Sequence, residues 1–124
     1  MQLSLGLGAP TMRVVVLGSG SSGNALVVES GVRRLLIDAG FSCRELERRL
    51  ELVGIDGAGF DGVLLTHEHG DHIRGAARFG RRHRVPLFAT EGTFAGVRLG
   101  RHPPERRVVR SGKALEVGAF RIEP

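Results

Sequence analysis

Thr66-His67-Glu68-His69-Gly70-Asp71-His72 gathers three imidazoles and two carboxylates into one short run, in a chain with five histidines in all. It follows Gly62-Val63-Leu64-Leu65, a short apolar segment that reads as a strand. His67 and His69 lie two positions apart, so in an extended segment their side chains point the same way and can grip one divalent ion. Asp71 and His72 arrive as the chain turns into a helix, which can aim them at a second ion beside the first. Neutral imidazole with carboxylate suits Zn²⁺ best, and Mn²⁺ or Fe²⁺ also fit. The competing reading is a chance cluster of polar loop residues. We take His67, His69, Asp71 and His72 as the candidate metal ligands.

Upstream, Arg13-Val14-Val15-Val16-Leu17 reads as a buried strand and Gly18 to Asn24 as a turn. The backbone N–H groups and hydroxyls of Ser19, Ser21, Ser22, Gly23 and Asn24 could receive an anion near the metal. The turn could equally be a plain glycine-rich connection. Ala25 to Glu29 and Arg33 to Asp38 form a hairpin around Ser30-Gly31. Asp38 ends a strand beside the histidine run, where it could support a ligand histidine or the loop backbone, or serve as a turn or cap residue.

Three pieces of this sequence resemble a known family. LLTHEHGDHIRG (residues 64–75) resembles the H-x-H-x-D-H signature of the metallo-β-lactamase-fold hydrolases, and LLIDAG (35–40) is similar to their first motif, an aspartate at a strand end. GSGSSGNA (18–25) is similar to the loop of a narrower bacterial branch, the YycJ or WalJ type, described as cytoplasmic nucleases. The resemblance implies an α/β fold, the N-terminal part of a metallo-β-lactamase-type αββα sandwich, over residues 12–124. It also implies two Zn²⁺ per complete site, with Mn²⁺ as a variant, and Asp38 as a support rather than a ligand. Asp71 would anchor the second ion and accept a proton from the nucleophile. In the family, further ligands come from later motifs, so the chain is expected to be about the first half of a hydrolase.

Elsewhere, Ser42-Cys43-Arg44-Glu45 has the form of a capping box, opening a helix that ends near Gly54. A second helix is expected near 72–82, with Ile73, Ala76, Ala77 and Gly80 inside and Arg74, Arg78, Arg81 and Arg82 on a solvated face. Both helices should pack on the same face of a sheet built from 13–17, 25–29, 33–38 and 62–66. Val85 to Ala89, Arg107 to Arg110, Ala114 to Val117 and Ala119 to Ile122 read as strands, and Thr90 could cap a weak helix through Leu99. His83 and His102 read as surface histidines. Residues 1–11 are expected to be a disordered extension.

At 124 residues the chain has the length of one domain. The formal net charge is +5, which favours a nucleic-acid partner through phosphate contacts. Seventeen of the eighteen basic residues are arginine, however, a skew that a GC-rich genome also produces. Without Trp or Tyr, stacking platforms for bases are scarce. Cys43, unable to form an internal disulfide, fits a reducing cytoplasm. No membrane association is expected. Three functions compete. The first is a metal-dependent phosphodiesterase or nuclease in the complete protein, and the second a thioester, ester or lactam hydrolase of the same superfamily. The third is an inactive fragment or basic binding module.

Overall fold

Apolar residues alternate along the strands so that successive side chains fall into two separate cores, and this alternation sets the layers. The computed structural model describes residues 2–5 and 11–124. Its larger sheet has the order β2 (Arg13–Gly18), β3 (Ala25–Ser30), β4 (Arg33–Ile37), β5 (Gly62–Leu64), β6 (Leu87–Ala89) and β7 (Arg106–Val108). The β2–β3 and β3–β4 pairs are antiparallel, and β4–β5, β5–β6 and β6–β7 are parallel. Leu36, Val63 and Leu87 face one core, whereas Leu35, Ile37, Leu64 and Phe88 face the other.

Helices cover the first face. Helix α1 (Cys43–Leu52) starts as its capping box predicts, with the Glu45 amide donating to the Ser42 hydroxyl at 3.2 Å. It buries Leu46 and Leu50 against the sheet, in the core that also takes Phe79 from α3 (Ala76–His83). The opposite face meets a second sheet, β1 (Gln2–Leu5), β9 (Phe120–Glu123) and β8 (Leu115–Val117), all antiparallel. Phe120 and Ile122 are buried between the sheets. Val14 and Val16, on the edge strand β2, remain 55 % and 61 % exposed on that same side.

Several elements differ from expectation. Gln2–Leu5 does not belong to a disordered extension: its backbone pairs with β9, and Leu3 packs against the inter-sheet core. Met1 and residues 6–10 lie outside the described residues. The single helix expected near 72–82 is two, α2 (Gly70–Ile73) and α3. The carbonyls that would continue α2 are diverted, Asp71 O accepting from the Asn24 amide at 2.7 Å and His72 O from the Ala39 amide at 2.7 Å. Helix α4 (Glu91–Ala95) is capped by Thr90 but stops at Gly96, short of Leu99, as two glycines in so short a segment favour. The last two strands, read without a sheet assignment, join β1 in the second sheet. Among the described residues, no helix is long and apolar enough to cross a membrane.

Two glycines separate close approach from simple permissiveness. A Cβ on Gly40 would stand 1.8 Å from Asp71 O and 2.6 Å from Asn24 N, so the backbone itself would have to move. A Cβ on Gly92, in α4, meets only the Thr90 hydroxyl at 4.0 Å. Urea denaturation should therefore find Gly40→Ala destabilised by at least about 1–3 kcal/mol through overpacking. Gly92→Ala should be stabilised by roughly 0.5–1 kcal/mol through helix propensity. Equal effects of the two substitutions would contradict the packing described.

Candidate metal centre

The histidine run leaves the carboxyl end of β5, where neighbouring strands hold it from both sides. Asp38 follows β4 directly, and its amide donates to Leu64 O at 2.8 Å. The residue is buried and left-handed, at φ 62°, a conformation that Asp tolerates better than most side chains. Its Oδ1 accepts from the Thr66 amide at 2.8 Å. Its Oδ2 accepts from the Thr66 hydroxyl at 2.6 Å and faces His72 Nδ1 at 2.7 Å.

These contacts dictate the imidazole tautomers. A carboxylate only accepts, so His72 carries its proton on Nδ1. The Thr66 hydroxyl spends its own proton on Asp38, so its oxygen accepts from His67 Nδ1, 2.9 Å away. One relay thus leaves the Nε2 lone pairs of both His67 and His72 open to a cation, the usual arrangement behind a metal-ligating histidine. Suitably placed atoms of Asp38, His67 and His72 lie within 4.8 Å of one another. With its oxygens already bonded to Thr66 and His72, Asp38 suits the orienting role, and the ligand-type atoms are the free imidazole nitrogens.

His69 and Asp71 stand beside this group and outside it. The His67 and His69 rings stack at 6.2 Å between centroids and 18° between planes, as two residues on one side of an extended segment should. His72 lies 4.7 Å from His67, centroid to centroid. Asp71 Oδ2 is 3.8 Å from His72 Nε2, so the two can share an ion once it draws them together. Three imidazoles and a carboxylate make a donor set that fits Zn²⁺ or another first-row divalent ion.

Asn24 takes a different part from the one expected. Its Nδ2 donates to Asp71 O and Asp71 Oδ2, both at 3.1 Å, and to Gly20 O at 2.8 Å, while its Oδ1 accepts from the Gly20 amide at 3.1 Å. The amide therefore locks the turn and aims Asp71, instead of standing ready for an anion. Gly23 packs against Phe41, where a Cβ would stand 2.4 Å from the ring, and its amide bonds to Gly20 O. Ser19, Ser21 and Ser22 are exposed on the turn. Of the remaining histidines, His83 bonds Glu47 Oε2 at 2.7 Å and His102 is exposed, both away from the cluster. Cys43 is buried, and burial followed by the Glu47 carboxylate pushes its thiol up, against the pull of Arg82, Arg78 and Arg81. Such a thiol is a poor nucleophile.

Thr66 is the residue whose role the sequence left unread. Thr66 stands in the quoted run itself, but only the fold brings its hydroxyl between Asp38 and His67. Asp38→Asn tests the relay, because its amide would donate where the carboxylate accepts and would force His72 toward the other tautomer. Titration with Co²⁺, followed by its visible absorption, should find affinity lowered about 10–100-fold, with a smaller loss for Asn24→Ala. Unchanged Co²⁺ affinity in Asp38→Asn would refute the orienting role.

Comparison with known proteins agrees with this architecture. The Metallo-beta-lactamase superfamily model matches residues 18–110. The chain is 31 % identical over 113 residues to exodeoxyribonuclease WalJ of Streptococcus pneumoniae, and 33 % over 111 residues to exodeoxyribonuclease YycJ of Bacillus anthracis. Each match takes in 87 % of this chain and 42 % of the relative, so the chain spans less than half the length of these proteins. The solved metallo-beta-lactamase fold protein YhfI of Bacillus subtilis superposes with a TM-score of 0.71 at 21 % identity, over 91 % of this chain and 52 % of that one. The matched segment runs from the glycine-rich turn through the histidine cluster, and the protein belongs to the metallo-β-lactamase superfamily.

Proposed function

We propose that these residues form the metal-binding core of a hydrolase that cleaves phosphodiester bonds in nucleic acid. The observation that carries the reading is the Asp38–Thr66 relay, which holds two imidazoles with Nε2 open beside a third imidazole and a carboxylate. The likeness to two exodeoxyribonucleases supports nucleic acid as the substrate. A reducing, cytoplasmic setting accords with the single, buried, unpaired cysteine.

In this reading His67 and His69 hold one ion, and Asp71 and His72 hold a second, Zn²⁺ in each case with Mn²⁺ as a variant. Bound ions of this kind supply Lewis-acid stabilisation to a phosphoryl oxygen and acidify a water. The protein's own part is orientation and proton handling. Asp38 and Thr66 keep His67 and His72 in the ligating tautomer. Asn24 holds Asp71 Oδ2, leaving Oδ1 to accept the proton that the nucleophile gives up. A catalytic zinc takes about three protein ligands and keeps one position open, so further donors are to be sought in the length that the relatives have beyond this segment.

The test is an assay of this sequence within a polypeptide of the relatives' full length, given a single-stranded oligonucleotide, a thioester and a β-lactam. We expect chelator-sensitive cleavage of the oligonucleotide, lowered at least about a hundredfold by Asp71→Ala. Arg82→Gln, whose partner is Glu47, should leave turnover near that of the unaltered protein. Hydrolysis of the thioester or the β-lactam without cleavage of the oligonucleotide would overturn the substrate.

A further inference from the structure

Arg74, Arg78, Arg81 and Arg98 line one groove of about 310 Å³, formed between α3 and the segment that follows α4. No carboxylate lines it. Among the described residues, none of these four guanidinium groups has an acidic partner, whereas Arg48 is bonded to Glu45 and Arg82 to Glu47. An adjacent groove offers the contrast: Arg44 and Arg48 there share the wall with Glu45, Glu47 and Glu51. Like charges gathered in one concavity raise the local positive potential, and a polyanion relieves the repulsion among them.

The groove also begins at the helix that carries part of the candidate metal centre. Arg74 caps α2, the helix that carries Asp71 and His72. Arg78 and Arg81 continue along α3 three residues apart, which sets them on one side of the helix. No aromatic side chain lines the groove, so it holds no platform for stacking bases. Guanidinium forks suit phosphate oxygens. The sequence alone placed Arg74, Arg78, Arg81 and Arg82 together on a solvated face. The fold separates Arg82, which is ion-paired, from the other three.

We propose that this groove is a track for the phosphate backbone of a nucleic-acid strand, gripping it without regard to base sequence while the neighbouring histidine cluster receives the scissile bond. The proposal rests on the phosphodiesterase reading for the identity of the strand. Its own test needs neither metal nor turnover.

Binding of a fluorescein-labelled oligothymidylate to the 124-residue chain is measured by anisotropy in EDTA, over a range of KCl concentrations. Each phosphate contact on a single strand contributes about 0.7 to the slope of log affinity against log salt. The triple variant Arg78→Gln/Arg81→Gln/Arg98→Gln should flatten that slope by about 2 and weaken binding about tenfold or more. Arg48→Gln/Arg82→Gln should stay near the unaltered chain. If the triple variant fails to fold by far-UV circular dichroism, Arg98→Gln alone, outside any helix, should still lower the slope by about 0.7. Equal slopes for the groove variants and the ion-paired control would overturn the track. So would no binding of the oligothymidylate by the unaltered chain, or equally effective displacement by polyglutamate, which would assign the groove to an acidic protein. Failure here leaves the cleavage assay untouched, and failure of that assay leaves these slopes as they are.

Discussion

The Asp38 carboxylate is the point from which the rest of the site is oriented. One buried group accepts from the Thr66 amide, the Thr66 hydroxyl and the His72 imidazole, and so ties the ends of β4 and β5 to the first turn of α2. Charged hydrogen bonds of this sort stabilise by about 1.5–3 kcal/mol each, which offsets an uncommon backbone conformation at φ 62°. The same relay leaves Nε2 of both His67 and His72 open. Fold stability and metal-site geometry therefore draw on one set of contacts.

The second constraint is the break between α2 and α3. In a continuous helix the Asp71 and His72 carbonyls would meet the Gly75 and Ala76 amides, whereas here they accept from Asn24 and Ala39 and the Gly75 amide turns to Ala39 O. Diverting them fastens the loop after β2 and the end of β4 to the short helix that bears Asp71. Gly40 permits this, since any side chain there would occupy the position of Asp71 O. The break also turns the chain at Arg74, so that Arg74, Arg78 and Arg81 share a groove wall with Arg98.

Much of this was legible in the sequence because it is local. The β-branched runs, the Ser42–Glu45 capping box and the alternation of H-x-H-x-D-H report on neighbours a few residues apart, and β2 to β5 and α1 fall close to where they read. What the sequence withheld depends on distant partners. The strand at Gln2–Leu5 exists because β9, more than a hundred residues later, offers it an edge. Asn24 reads as an anion-loop residue until Asp71, forty-seven positions on, is brought against its amide. Nothing in the spacing of Arg74, Arg78, Arg81 and Arg82 distinguishes the one that finds Glu47 from those that find no acid.

The tautomers of His67 and His72 underlie the whole site, and long-range ¹H–¹⁵N correlation spectra of the metal-free protein report them. In their neutral form both rings should carry the proton on Nδ1, with a pyridine-type Nε2 whose resonance moves when Zn²⁺ is added. Thr66→Val should release His67 from that tautomer and leave His72 in it. Spectra in which either ring of the unaltered protein carries its proton on Nε2 would contradict the relay and the site built on it.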